Sequence, residues 1–331
     1  MSRKCYIKSI SQISCQKPLS EEWLNAPCSY GDTYVRAIEP GTKGLISSAE
    51  ARRMSKILKR TICTSITALK DAGLECPDAI ITGTGMGCME NSEKFLSDMN
   101  KFGENCLKPT LFMQSTHNTI SSLIAIILKC HGYNNTYSQG AISFESALLD
   151  AWLQIKSGQI DSALVGSHDE VTPLMSKILA SNHPEYSVIT EASVATVLTS
   201  SKDANSRVEV ADVFIGNNLL PQEAADNILS STDSVIMLGT NENIKNDRPY
   251  RQMLEGLDYN PTILQYKKIF GDNFSSSAIG FYVAATLLSE NYIPEFLIES
   301  KGNNFEQDIH SITIINNSSD STWSIIRLKR N

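Results

Sequence analysis

The chain has 331 residues, 41% of them hydrophobic, and carries a formal charge of −7 from 29 lysines and arginines against 36 aspartates and glutamates. That length and apolar content suit a large buried core and exclude a collagen-like, disordered or disulfide-scaffold chain. The negative charge repels phosphate backbones and argues against a nucleic-acid partner.

Taken in chain order, the clearest predicted element is a helix over Ser47 to Gly73. Ser47 or Ser48 can cap it, apolar residues recur at Met54, Ile57, Leu58, Ile62, Ile66 and Leu69, and Gly73 ends it. Asp78 to Gly85 is a short β-branched run that empties into glycines, which fits a buried strand opening onto a tight loop. Pro109 to Gln114 reads as a second buried strand. The polar turn Ser115 to Asn118 follows, then a helix over Thr119 to Cys130 that is apolar on nearly every face and is therefore expected at the centre. Phe144 to Lys156 reads as an ordinary amphipathic helix, and Ser162 to Gly166 and Ala192 to Ser200 as strands.

The pattern then recurs in outline. Ser234 to Asn241 resembles the strand at Ile80, and Lys268 to Leu288 resembles the strand, turn and buried helix that begin at Thr110. Ser311 to Ser319 and Thr322 to Lys329 close the chain as a hairpin. No linker rich in Pro, Gly or Ser intervenes, so the expectation is a single unit of two pseudo-symmetric halves, about 1–205 and 206–331. The fold class is α/β, layered α/β/α/β/α, with central helices between two sheets.

Eight cysteines lie between Cys5 and Cys130, no two closer than ten residues and none in a C-x-x-C pair, which excludes zinc and redox motifs. No charged segment leads into an apolar run of about 7–15 residues at the N-terminus, so no secretory leader is expected, and free thiols in a cytoplasmic protein are. The longest apolar stretch, Leu123 to Leu128, is too short to span a membrane. No metal or cofactor is expected.

Several blocks resemble the β-ketoacyl synthase branch of the thiolase superfamily: Glu50 to Leu74, Ile80 to Gly87, Ser162 to Pro173, Met237 to Asn241 and Asn316 to Leu328. The similarity runs from about Glu50 to Leu328. Within the family it is closest to the shorter ketosynthase-like, chain-length-factor-like proteins of aryl polyene and flexirubin-type pigment pathways. Such a resemblance implies a thiolase-like fold and, in an active enzyme, a cysteine at the amino end of the buried central helix, where the helix dipole and backbone N–H groups favour a thiolate and an oxyanion. It also implies two histidines that support decarboxylation and enolate formation.

None of the three is found. The nucleophile position falls on Phe112, or on Met113 or Gln114 after a slip of one or two places. The histidine positions fall on Leu238 and Asp272, and the glycine-rich gating turn is altered to Asn317–Thr322. The resemblance therefore implies a non-condensing subunit, paired with an active ketosynthase or with itself as a homodimer, and serving an acyl carrier protein. An alternative is an active acyltransferase or decarboxylase using Gln114, Ser115 or His117. A third is a carrier-docking module built on Arg52 and Arg53 with Lys56, Lys59 and Arg60, a run that also reads as a solvated helix face.

Each remaining candidate has a plainer reading. Ser115 and His117 sit where helix caps sit. Cys88 and Cys106 read as small buried hydrophobes, and Gly83, Gly85 and Gly87 as close-packing glycines and not a phosphate loop. His168, Asp169 and Glu170 are adjacent, so their side chains diverge; a solvated turn is expected there and not a metal site.

Overall fold

Strand-forming runs in both halves assemble into one continuous, twisted sheet in a computed structural model, which describes all residues except 1–2, 105–106, 183–187, 204–205, 231, 304, 306–307 and 319–321. The strands are β1 (Tyr6–Ile13), β2 (Ala79–Gly83), β3 (Tyr133–Tyr137), β4 (Ser162–Asp169), β5 (Ala192–Thr199), β6 (Val208–Gly216), β7 (Val235–Leu238), β8 (Thr262–Gln265), β9 (Ile298–Ser300), β10 (Ser311–Ser318) and β11 (Thr322–Arg330). The helices are α1 (Ser48–Ala51), α2 (Lys56–Ala72), α3 (Met89–Phe102), α4 (Pro109–Met113), α5 (Thr119–Leu128), α6 (Ser143–Ser157), α7 (Pro173–Asn182), α8 (Pro221–Ile228), α9 (Ile244–Glu255), α10 (Lys267–Phe270) and α11 (Ser276–Glu290).

The strand order is β3-β2-β4-β5-β1-β6-β11-β10-β7-β8-β9. β2 runs parallel to β3 and β4, while β5 is antiparallel to β4 and β1. In the same way β7 runs parallel to β8 and β10, while β11 is antiparallel to β10 and β6. β1 and β6 join the two runs through only two paired positions, Tyr6–Glu209 and Ile7–Val208.

Alternate side chains of each strand face opposite layers. Val235 and Met237 on β7 pack into the central core with α6 and α11, whereas Ile236 and Leu238 pack outward against α8 and α9. Ile80, Leu164, Ala195 and Val197 likewise meet α2 and α5 on the outer side of the other half. The result is an α/β/α/β/α layering with α6 and α11 in the middle, its two β layers being the two runs of one continuous sheet and not the two separate sheets expected. Every residue of α11 from Ser276 to Leu288 is buried, and each fully buried large apolar side chain in such a layer stabilises the fold by roughly 1.5–3 kcal/mol.

Several expectations are corrected. The helix expected over Ser47 to Gly73 is two helices: Ser47 and Glu50 form a capping box for short α1, and α2 ends at Gly73 in the left-handed conformation. Pro109 to Gln114 is not a strand, because Pro109 occupies the first helical position of α4, where its fixed φ and missing N–H favour a helix start. Lys268 to Phe270 lies in α10, and the strand of that repeat is β8. The helix after α4, α5, lies in an outer layer with Ile126 exposed, and the central helix of this half is α6.

Cys76 and Cys130 form a disulfide between the ends of α2 and α5, so the expectation of free thiols throughout does not hold; Cys5, Cys15, Cys28, Cys63 and Cys88 are free. Among the described residues no helix is long and apolar enough to cross a membrane.

Candidate functional site

The amino ends of α6 and α11 meet the carboxyl ends of β7, β8 and β10 in the interior. β3 leads into α6 through the turn Ser138, Gln139, Gly140, Ala141 and Ile142, with Gly140 at φ +60°. Glycine adopts that conformation at no steric cost, having no Cβ. Ser143 secures the turn, its Oγ donating to the carbonyls of Gly140 (2.7 Å) and Thr84 (3.1 Å).

One turn into α6, Glu145 is fully buried. Its carboxyl accepts from Ser277 Oγ on α11 at 2.9 Å, from Ser324 Oγ on β11 at 2.8 Å and from Asn316 Nδ2 on β10 at 3.3 Å. Burial raises its pKa, and these hydrogen bonds oppose the rise. Tyr266, which follows β8, donates to Asn316 Oδ1 at 3.2 Å, and Tyr250 Oη accepts from Asn317 N. Burial raises both phenols, so each stays protonated.

Beside this network, Asp272 just ahead of α11 pairs with Lys267 Nζ at 2.9 Å and accepts from Asn241 Nδ2 at 3.0 Å and Ser276 Oγ at 3.2 Å. The arrangement satisfies two helix ends with hydrogen-bonded side chains. Among the described residues its turn offers no thiol, and its amine is held in an ion pair.

The predicted positions fall in two places. Asp272 and the stretch after Leu238 are brought together through Asn241, although Leu238 itself points outward into the cluster with Ile236, Tyr250 and Trp323. Phe112, Met113 and Gln114 are elsewhere: Phe112 and Met113 are 58% and 69% exposed on α4, and Gln114 caps its end and donates to the Arg53 carbonyl at 3.3 Å. These three are not at the amino end of the central helix. Phe112 instead packs against Phe95, the rings tilted by 45° with centroids 5.5 Å apart. Ser115 and His117 go with them: Ser115 Oγ is committed to the Phe112 carbonyl at 2.7 Å, and the ring of exposed His117 lies over Gly87. No hydrogen bond among the described residues joins Ser115 to His117.

The remaining candidates are structural. Cys88 is buried, and desolvation helped by Glu170 and Asp169 pushes its thiol up to about 12, far from a thiolate at neutral pH. Cys106 lies outside the described residues, as do three positions of the Asn317–Thr322 turn. The glycine loop spends its N–H groups on a carboxylate of its own: Asp169 accepts from Gly85 N, Met86 N and Thr84 Oγ1, and also from Ser275 Oγ across the core.

His168, Asp169 and Glu170 are not on a solvated turn. All three are buried, because β4 runs on through Asp169, and burial pushes His168 down to about 3 while Ser193 Oγ contacts its Nδ1 at 2.7 Å. Among the described residues no cluster of three metal-binding side chains exists. The basic run is also divided. Arg60 is 1% exposed and paired with Glu39 and Glu191, whereas Arg52 and Arg53 are exposed and line a cleft of about 510 Å³ with Lys94 and Lys108.

Sequence reasoning missed the Ser138–Ile142 turn, Glu145, Tyr266, Lys267 and Asn316. Two signals pointed to the turn: a glycine and serine directly ahead of a helix start, and Ala147 and Ala151 four apart on α6, which permit close helix contact.

Residues 33–182 match the family model of the beta-ketoacyl synthase N-terminal domain. No curated protein sequence matches the chain. Among solved structures, the ishigamide ketosynthase/chain length factor is similar at 17% identity and a TM-score of 0.83, covering 100% of both chains. A ketosynthase in complex with its chain length factor from Xenorhabdus doucetiae is similar at 13% identity and a TM-score of 0.74, covering 99% of this chain and 98% of that one. A type II polyketide acyl-carrier protein in complex with its ketosynthase is similar at 13% identity and a TM-score of 0.79, covering 100% of both chains. The fold is thus that of the ketosynthases, in agreement with the resemblance read from the sequence.

Proposed function

We propose that this ketosynthase-like chain is a non-condensing subunit that pairs with an active β-ketoacyl synthase and helps to shape the tunnel for a growing polyene or acyl chain. The observation that carries the reading is the turn at the amino end of α6, where Ser138 to Ile142 include no cysteine. An acyl thioester cannot form there, so the helix end that would activate a thiolate has none to act on. Asp272, at the expected place of a histidine, supports the same reading: its charge is already matched by Lys267, and a carboxylate disfavours an adjacent enolate.

Pairing is supported by β3, an edge strand hydrogen-bonded on one side to β2, and by the apolar Ile126 left 72% exposed on the neighbouring α5. The related strand pattern in residues 1–205 and 206–331 suits a partner of the same fold, and a second copy could take that place when the chain is alone. An acyl carrier protein is the expected further partner, docking by charge at Arg52 and Arg53. Membership of an aryl polyene pathway is the metabolic setting this reading favours. The acyltransferase reading is weaker, because Ser115 is tied to backbone and both Ser115 and His117 lie away from the central helix ends.

Incubated alone with acyl- and malonyl-loaded carrier proteins, the chain is expected to keep its unmodified intact mass and to release no carbon dioxide. An acyl adduct, or decarboxylation by the chain alone, contradicts the proposal; an adduct mapped to Ser115 would establish the acyltransferase reading instead.

A further inference from the structure

On the outer side of the second half, where α9 covers the carboxyl ends of β7 and β8, lies a cavity of about 350 Å³. Four polar side chains in its wall are nearly sealed from solvent: Thr240, Asp247, Tyr250 and Gln265 are 6%, 4%, 3% and 5% exposed. Leu238, Leu254 and Ile263 supply the apolar part. Two of the buried polar atoms, Thr240 Oγ1 and Gln265 Oε1, have no hydrogen-bond partner among the described residues. Leaving such an atom unpaired costs about 1–3 kcal/mol, and both belong to side chains that line this one cavity.

The chemistry a ligand would need follows from the donors and acceptors. Gln265 cannot turn its amide round, because its Nε2 donates to the Glu299 carboxylate at 2.5 Å and a carboxylate has no proton to give back. Its Oε1 is therefore fixed as an acceptor. Asp247 accepts from Asn241 N at 3.0 Å and from the backbone N–H of Glu242, and its carboxylate has lone pairs left for a further donor. The charged side chains in the wall are Asp247, Glu299 and Arg251, two carboxylates to one guanidinium. Acceptors and negative charge thus dominate, and the hydrocarbon wall matches a short apolar body. The carboxyl ends of parallel strands are also where open α/β sheets bind ligands.

We propose that this cavity binds a small molecule carrying a protonated primary amine on a short hydrocarbon body, with Gln265 and Asp247 accepting from the ammonium group. The site is independent of the non-condensing role and stands if that role fails. Asn241 connects the two places, its backbone on Asp247 and its side chain on Asp272.

The test uses the full chain with n-butylammonium as the probe and n-butanol and butyrate as its neutral and anionic counterparts, followed by saturation-transfer NMR and thermal unfolding. Butylammonium is expected to receive saturation and raise the unfolding temperature, with butanol at least tenfold weaker and butyrate silent. Leu254→Trp, which fills the cavity, should abolish both effects, and Gln265→Leu should weaken binding at least tenfold. Circular dichroism checks that each variant folds, and Gln265→Leu decides alone if Leu254→Trp does not. Silence from all three probes, equal binding of butanol, or butylammonium binding that survives the substitutions would overturn the proposal.

Discussion

Glu170 illustrates how a single buried carboxyl ties the fold to pH. It is 3% exposed, its Oε1 accepts from Glu90 N at the start of α3, and desolvation pushes its pKa up to about 7. A carboxyl that holds its proton more tightly folded than unfolded contributes stability that is full below the ordinary glutamate pKa and is lost as pH rises through about 7. Unfolding free energy from urea titrations should therefore fall between pH 5 and pH 8, by about 2 kcal/mol from this group. Glu170→Gln keeps an acceptor for Glu90 N but does not ionise, so its stability relative to the wild type should rise by that amount across the same range. An unchanged difference at the two pH values would rule out this account of Glu170. The Glu145 carboxyl is held differently: three donors from α11, β10 and β11 converge on it. Removing it in Glu145→Ala should cost on the order of 3 kcal/mol by leaving buried donors unpaired, read as a lower denaturation midpoint.

Between elements, the contact of β2 with the start of α6 depends on Gly83. A Cβ there would lie 2.5 Å from the backbone carbonyl carbon and oxygen of Ser143, atoms that no rotamer change can move. Gly83→Ala should destabilise the chain by about 2 kcal/mol or more, measured by denaturant midpoint, while an equivalent change at exposed Gly31, which has open space, should not. The strands that were legible in sequence are those whose burial is written as short apolar or β-branched runs: β2, β4, β5, β7 and the β10–β11 hairpin. β3 was not, because its Tyr133–Tyr137 segment is a polar edge strand whose tyrosines both donate to Asp150 on α6. Once β3 was missed, the central helix was assigned to α5 by apolar content. α5 is apolar on the face it buries against α2, at Ile120 and Ile124, and also at exposed Ile126, whereas α6 reaches the centre carrying a carboxyl hydrogen-bonded by Ser277, Asn316 and Ser324, partners that no local pattern reveals. The neighbourhood of Asp272 and the stretch after Leu238 was legible; the nucleophile position was not, since Phe112 to Gln114 lie on α4, and the signals for the Ser138–Ile142 turn gain their meaning only once β3 is known.

At the scale of the molecule, the parallel strand orders on either side of the β1–β6 junction support reading the chain as two related halves, with the partner expected at the free edge of β3. Ile126→Lys places a charge on that face at a position already exposed, so it should leave the unfolding midpoint within about 0.5 kcal/mol of the wild type while weakening association with a ketosynthase or with a second copy at least tenfold, as read by analytical ultracentrifugation. Unaltered association would place the interface elsewhere. The most direct test of the central claim is a condensation assay on the chain, on its candidate ketosynthase and on the co-purified pair, each supplied with acyl and malonyl carrier proteins. The account predicts no condensation product from the chain alone and an elongated product from the pair that the ketosynthase by itself does not make in the same yield or length. Condensation by the chain alone would contradict it.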